Sequence, residues 1–145
     1  MKSVLFICTH NSARSQMAEG LVNSLYSKVL RANSAGIKPT QVNPLAVRVM
    51  AEMDIDISSQ RSKNLNEFEG QRFDYVVMVC SDAADICPFF PGGIEQIHHG
   101  FDDPASTKGT DEEKLRAFRK SRNDINKWII DDLVLRGYGR CQDDR

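Results

Sequence analysis

The sequence predicts an α/β fold in which a parallel sheet carries helices on both faces, and two observations lead there. Short apolar runs of strand length alternate along the chain with longer segments whose apolar residues recur at helical spacing. The run Asp74-Tyr75-Val76-Val77-Met78-Val79 is nearly continuous in apolar residues, the pattern of a strand covered on both faces. Crossovers between such strands are right-handed, and ligands bind beyond the carboxyl ends of the strands.

Each element has its own signal. Ser3 to Ile7 reads as the first strand, and Met17, Leu21 and Leu25, flanked by Ala18 and Val22, give a helix from Gln16 onward its apolar stripe. Val29 to Ser34 reads as a second strand closed by Gly36 and Pro39. Asn43-Pro44 supplies an N-cap and first-turn proline for a helix carrying Leu45, Val49 and Met53. Asp54 to Gly70 is polar and mixed, a loop with a short helix. The strand Asp74 to Val79 ends at Cys80, and after a loop from Ser81 to Gly93 comes a last strand, Ile94 to His98. Thr110 and Glu113 form a capping box for a long helix in which Leu115, Phe118, Ile125, Ile129 and Leu133 keep a helical period, with Gly137 as its stop. The tail from Tyr138 to Arg145 is expected to fray.

At 145 residues the chain is expected to form one domain, 1–145, large enough to bury a core without disulfides. A formal net charge of −1, with 41% hydrophobic and 27% charged residues, argues against a nucleic-acid or anionic-membrane partner. The N-terminal apolar run is far short of the roughly 20 residues of a membrane span and lacks a basic leader region, so a cytoplasmic location is expected. A monomer is expected. In a reducing compartment four cysteines are read for catalysis, metal binding or redox cycling before structural disulfides.

The most telling segment is Cys8-Thr9-His10-Asn11-Ser12-Ala13-Arg14-Ser15, set between the first strand and the first helix. Backbone N–H groups of such a loop converge at a helix N-terminus, where the dipole and unpaired donors favour a tetrahedral anion. Arg14 adds a planar fork that matches two oxygens of the anion, and the same positive field favours the reactive thiolate of Cys8. The bland alternative is a buried strand-end cysteine beside an unrelated arginine. The Cys-x5-Arg spacing and its strand-to-helix setting count against it.

Breaking a bond to an oxygen of such an anion needs a nucleophile, a charge clamp and an acid for the departing oxygen. Cys8 and Arg14 supply the first two. Asp102-Asp103-Pro104 offers the third, with Asp103, on the proline-stiffened turn, preferred over Asp102; the alternative is a simple turn start. Cys8, Cys80 and the Phe101 to Asp103 segment each follow a predicted strand and so share one edge of the sheet. A second pair of cysteines, Cys80 and Cys87, separates two chemistries. A phosphate ester needs only one thiolate, whereas reducing the isosteric arsenate to arsenite requires a second thiol to attack the Cys8 adduct and a third to regenerate Cys8. The alternatives are a buried strand residue at Cys80, a chance thiol at Cys87, or a metal site with His98 or His99. Neighbouring strand residues point to opposite faces and the Cys-x2-Cys spacing is absent, so no bound metal is expected. Cys141 is expected to have no role.

With these residues in view, the chain resembles the thioredoxin-coupled arsenate reductase family, which shares the low-molecular-weight protein tyrosine phosphatase fold. The resemblance rests on Cys8 to Ser15 with Met17-Ala18-Glu19-Gly20, on Ser34-Ala35-Gly36, on Cys80-x6-Cys87-Pro88 and on Asp102-Asp103-Pro104-Ala105. It implies a flavodoxin-like sheet of four parallel strands. It also implies attack of Cys8 on arsenate, attack of Cys80 on the Cys8 adduct with release of arsenite, attack of Cys87 on the Cys8–Cys80 disulfide, and reduction of the resulting Cys80–Cys87 disulfide by thioredoxin, an external reductant with no bound cofactor. The segment between Cys80 and Cys87 rearranges in that scheme. Asn11, Glu19 and Ser34 resemble residues that brace the loop and, in some relatives, line a potassium site; Lys63 falls where those relatives carry an acid, and its ammonium would take the ion's space and charge. Ala13 is often cysteine in relatives, outside the relay. His10 replaces a common glycine, a costly exchange if φ there is positive.

Three readings compete. The first is arsenate reduction with thioredoxin. The second is a phosphatase acting on phosphotyrosine or small aryl phosphates, for which the aromatic residues common after the Asp-Pro pair are missing, since Ala105-Ser106-Thr107 follows; a weak phosphatase side activity is expected from Cys8, Arg14 and Asp103. The third is a non-enzymatic redox-responsive or oxyanion-sensing module, which leaves Asp103 and the full set of thiols unexplained.

Overall fold

The computed structural model describes residues 1–80 and 89–135. Cys87, Gly137, Cys141 and the tail expected to fray lie outside them. The described chain runs β1 (Lys2–Ile7), α1 (Arg14–Leu25), β2 (Leu30–Ala35), α2 (Pro44–Ala51), a 3₁₀ turn Leu65–Phe68, β3 (Phe73–Met78), β4 (Gly93–His98), a 3₁₀ turn Pro104–Ser106 and α3 (Asp111–Trp128), which passes into a π-helical turn Ile129–Val134. The strands form one sheet in the order β2-β1-β3-β4, every neighbouring pair parallel.

Alternation along β1 divides the core. Val4 and Phe6 face α1, α2 and α3, meeting Met17, Leu21, Val49, Phe118 and Ile125. Leu5 and Ile7 face the other way, toward Phe68, Phe73, Val76 and Phe90. Helical cover on both faces is therefore uneven among the described residues: three α-helices lie on one side and the Leu65–Phe68 turn on the other. The chain leaves the central strand β1 toward β2 on one side, and β3 lies on the other, so the carboxyl ends of β1 and β3 flank the point where the strand order reverses. Ligands of open parallel sheets sit at that crevice.

The capping signals hold. Asn43 accepts from the Leu45 amide at 2.8 Å, and Thr110 and Glu113 close their capping box. The end of the last helix differs from a plain α-helical period. Ile125, Ile129 and Leu133 are spaced by four, which overruns a 3.6-residue turn, and the wider i→i+5 turn brings Leu133 back over the core at 1% exposure. No helix among the described residues is long and apolar enough to cross a membrane.

Candidate active site

Residues 8–13 pass from the end of β1 to the start of α1. The helix begins at Arg14, two residues before the expected Gln16, because its N-cap is Ala13 and no side chain there marks the boundary. With no side-chain cap and no acidic residue in the first turn, the helix end is left to favour an external anion. The loop is held from outside. Lys38 donates its amide to the Thr9 carbonyl at 3.0 Å, Thr40 and the Ser62 hydroxyl donate to the His10 carbonyl at 3.3 and 2.9 Å, and Asn43 donates to the Ser12 carbonyl at 3.0 Å. These outer bonds satisfy three of the loop's carbonyls and fix the path of the backbone on which an anion-binding nest depends.

The positive φ in the loop belongs to Asn11, at 48°, and not to His10. The concern over a missing glycine at position 10 is thereby corrected: the left-handed residue is an asparagine, one of the types that tolerates it, because its short polar side chain can bond locally. Asn11 is fully buried; its Oδ1 accepts from the Lys63 amide at 2.8 Å and from Gln16 Nε2 at 2.9 Å, and its Nδ2 donates to Ser15 Oγ at 2.8 Å. Ser15 Oγ is in turn 2.8 Å from Cys8 Sγ. Since Asn11 donates into the Ser15 oxygen, the Ser15 hydroxyl is left to donate toward the sulfur.

Glu19, Ser34 and Lys63 form a buried bracket behind this loop. Ser34 Oγ donates to Glu19 Oε1 at 2.6 Å, and Lys63 Nζ lies 3.3 Å from the same oxygen while donating to the Arg61 carbonyl at 3.0 Å. The ammonium occupies the place beside Glu19. Gly36, named above only as a strand stop and as part of a motif, has a steric role. A Cβ there would come within 2.6 Å of both the Cys8 and Thr9 carbonyls, so the strand can back the loop this closely only as glycine.

Arg14 is 4% exposed and donates from Nη1 to the carbonyls of Phe101, at 3.1 Å, and Val79, at 3.4 Å. Its Nη2 lies 3.8 Å from Asp103 Oδ2. Asp103 Oδ1 accepts from the Ala105 amide at 3.0 Å, so one oxygen fixes the turn and the other faces the guanidinium. Cys8, His10, Ser12, Arg14, Asp103 and Ser106 line a cavity of about 350 Å³. Asp102 instead lines a neighbouring cavity of about 530 Å³ with His99 and Trp128.

Cys80 lies just past β3, the strand beside β1. Val79 donates its amide to the Ile7 carbonyl at 2.9 Å, and Cys80 Sγ is 4.0 Å from that same oxygen, which precedes Cys8 directly. The two histidines diverge as strand neighbours do: His98 Nε2 is 2.8 Å from the Cys80 carbonyl, while the His99 ring stacks on Trp128 with centroids 5.3 Å apart.

A thiol at the end of the first strand, a guanidinium at the start of the first helix and a carboxyl across one cavity define a thiol-centred oxyanion site on a parallel sheet. The chain belongs to the low molecular weight phosphotyrosine protein phosphatase family, whose model matches residues 3–129, and within it to the group of the arsenate reductases. It is 48% identical over 128 residues to an arsenate reductase of Halalkalibacterium halodurans, an alignment covering 88% of this chain and 92% of the relative. Among solved structures it is similar to an arsenate reductase in the phosphate-binding state, with TM-score 0.74, 30% identity and coverage of 90% of this chain and 95% of the other. It is also similar to a thioredoxin-dependent arsenate reductase of Corynebacterium glutamicum, with TM-score 0.59 and 26% identity, covering 89% of this chain and 62% of that one.

Proposed function

We propose that this protein reduces arsenate to arsenite through thiol–disulfide exchange. The observation that carries the reading is the placement of Cys8 and Cys80 just past the ends of adjacent parallel strands, with Arg14 and Asp103 sharing the Cys8 cavity. Similarity to arsenate reductases supports it.

The Cys8 thiolate attacks arsenic while Arg14 and the loop N–H groups hold the remaining oxygens, and one oxygen leaves as water with a proton from Asp103. Cys80 then attacks the Cys8 sulfur. The sulfur–arsenic electron pair passes to arsenic, which leaves as arsenite, and the two thiols are oxidised to a Cys8–Cys80 disulfide. Cys87, assigned from sequence alone, attacks Cys80 and releases the Cys8 thiolate, and thioredoxin reduces the Cys80–Cys87 disulfide. Asn11, Ser15, Glu19, Ser34 and Lys63 hold the loop, with no metal required. The setting is a cytoplasmic monomer, domain 1–145, with small oxyanions and thioredoxin as partners.

The test is NADPH consumption with thioredoxin and thioredoxin reductase. Turnover that requires both arsenate and this protein is the expected result; equal consumption with and without arsenate would contradict it. Membership of the phosphatase family favours one further activity. Cys8, Arg14 and Asp103 suffice for slow hydrolysis of an aryl phosphate, which needs no second thiol.

A further inference from the structure

The paired histidines at the end of β4 are absorbed by no step above, yet one of them touches the backbone of a relay thiol. Past β3 the sheet's hydrogen bonding continues through Val79, whose carbonyl accepts from the Phe101 amide at 3.2 Å. At Cys80 a side chain takes over: the His98 ring nitrogen Nε2 lies 2.8 Å from the Cys80 carbonyl. A carbonyl can only accept, so the contact places the ring proton on Nε2. In the parallel register His98 lies beside Met78, and Cys80 is two residues on from Met78, so all three share one face and the ring reaches forward along the sheet to Cys80.

We infer that His98 is a positioning residue for Cys80, an inference that rests on the reductase reading above. Exchange between thiols requires the attacking sulfur to approach in line with the bond that breaks, and effective molarity falls steeply when the approach is misplaced. Cys80 is 2% exposed and its sulfur already lies against the end of β1. A fixed carbonyl holds the Cys80 backbone while its side chain turns toward Cys8. His98 itself touches no reacting atom. Its effect falls on the second step alone, because oxyanion binding and attack by Cys8 use residues of the loop, Arg14 and Asp103.

The test measures two rates in each protein: hydrolysis of p-nitrophenyl phosphate, and, in a Cys87→Ser background, appearance of the Cys8–Cys80 disulfide after a single exposure to arsenate, followed by peptide mass mapping. His98→Ala is expected to slow disulfide formation by about fivefold, the scale of one lost part-buried hydrogen bond, and to leave ester hydrolysis within about twofold of its parent. His98→Gln, whose amide N–H₂ can reach the same carbonyl, is expected to restore most of the rate. Equal loss of both activities in His98→Ala, or disulfide formation at the parental rate, overturns the positioning role while leaving the reductase reading in place. A parent that hydrolyses the ester but forms no Cys8–Cys80 disulfide overturns that reading and the role of His98 with it.

Discussion

Ser15 receives a hydrogen bond from Asn11 and stands 2.8 Å from Cys8, so a buried amide orients the Ser15 hydroxyl toward the sulfur. Asp103 divides its oxygens in a comparable way, one accepting from the Ala105 amide and the other turned to Arg14. An acid so placed assists departure of an oxygen leaving group. Asp103→Asn keeps the shape and loses the proton. In this variant hydrolysis of phenyl phosphate is expected to fall by roughly 100-fold, and of p-nitrophenyl phosphate, with its better leaving group, by about tenfold or less; equal losses on the two esters would make Asp103 structural. The choice of Asp103 over Asp102 was available in the sequence because a proline follows it, and Asp103 lines the Cys8 cavity while Asp102 does not. The φ-positive residue was not legible. Asn11 and His10 both tolerate that region, and only the partners of the Asn11 side chain, Lys63 and Gln16, decide between them.

At the scale of elements, α2 and α3 are latched by Glu52, the C-terminal cap of α2. Its carboxylate accepts from Arg119 Nε at 3.0 Å and Nη2 at 2.9 Å, and from Arg122 Nη1 at 2.9 Å. Hydrogen bonding from Arg119, aided by Arg122 and outweighing partial desolvation, holds the Glu52 carboxyl below its ordinary value. A depressed folded-state value means the contribution is present above the unfolded carboxylate range and is lost as pH falls through the folded value. Glu52→Gln is expected to lower stability by about 0.5 kcal/mol near neutral pH. In urea denaturation the difference from wild type should shrink toward zero as pH falls below the carboxylate range, and a difference that persists there would point to packing instead. Caps such as Asn43 and Thr110 could be read from the sequence because their partners lie two or three residues away. The start of α1 could not, since Ala13 carries no capping group and the first turn is set by the loop and its outer contacts with Lys38, Thr40 and Asn43.

For the whole molecule, the alternation of strands and helices was enough to place Cys8, Cys80 and Asp103 at one edge of a parallel sheet. The strand order was not, and it is the adjacency of β1 and β3 that brings Cys80 to the end of the strand carrying Cys8. Contacts across 87 residues, such as Arg14 to the Phe101 carbonyl, leave no local signal. The central claim is that one oxyanion site serves a redox branch that needs a second thiol and a hydrolytic branch that does not. The most direct measurement is therefore Cys80→Ser assayed in parallel for p-nitrophenyl phosphate hydrolysis and thioredoxin-coupled arsenate reduction. The account predicts ester hydrolysis within about twofold of wild type and arsenate reduction below roughly a hundredth of it, about 2.7 kcal/mol in barrier terms. Arsenate reduction that survives in Cys80→Ser would contradict it.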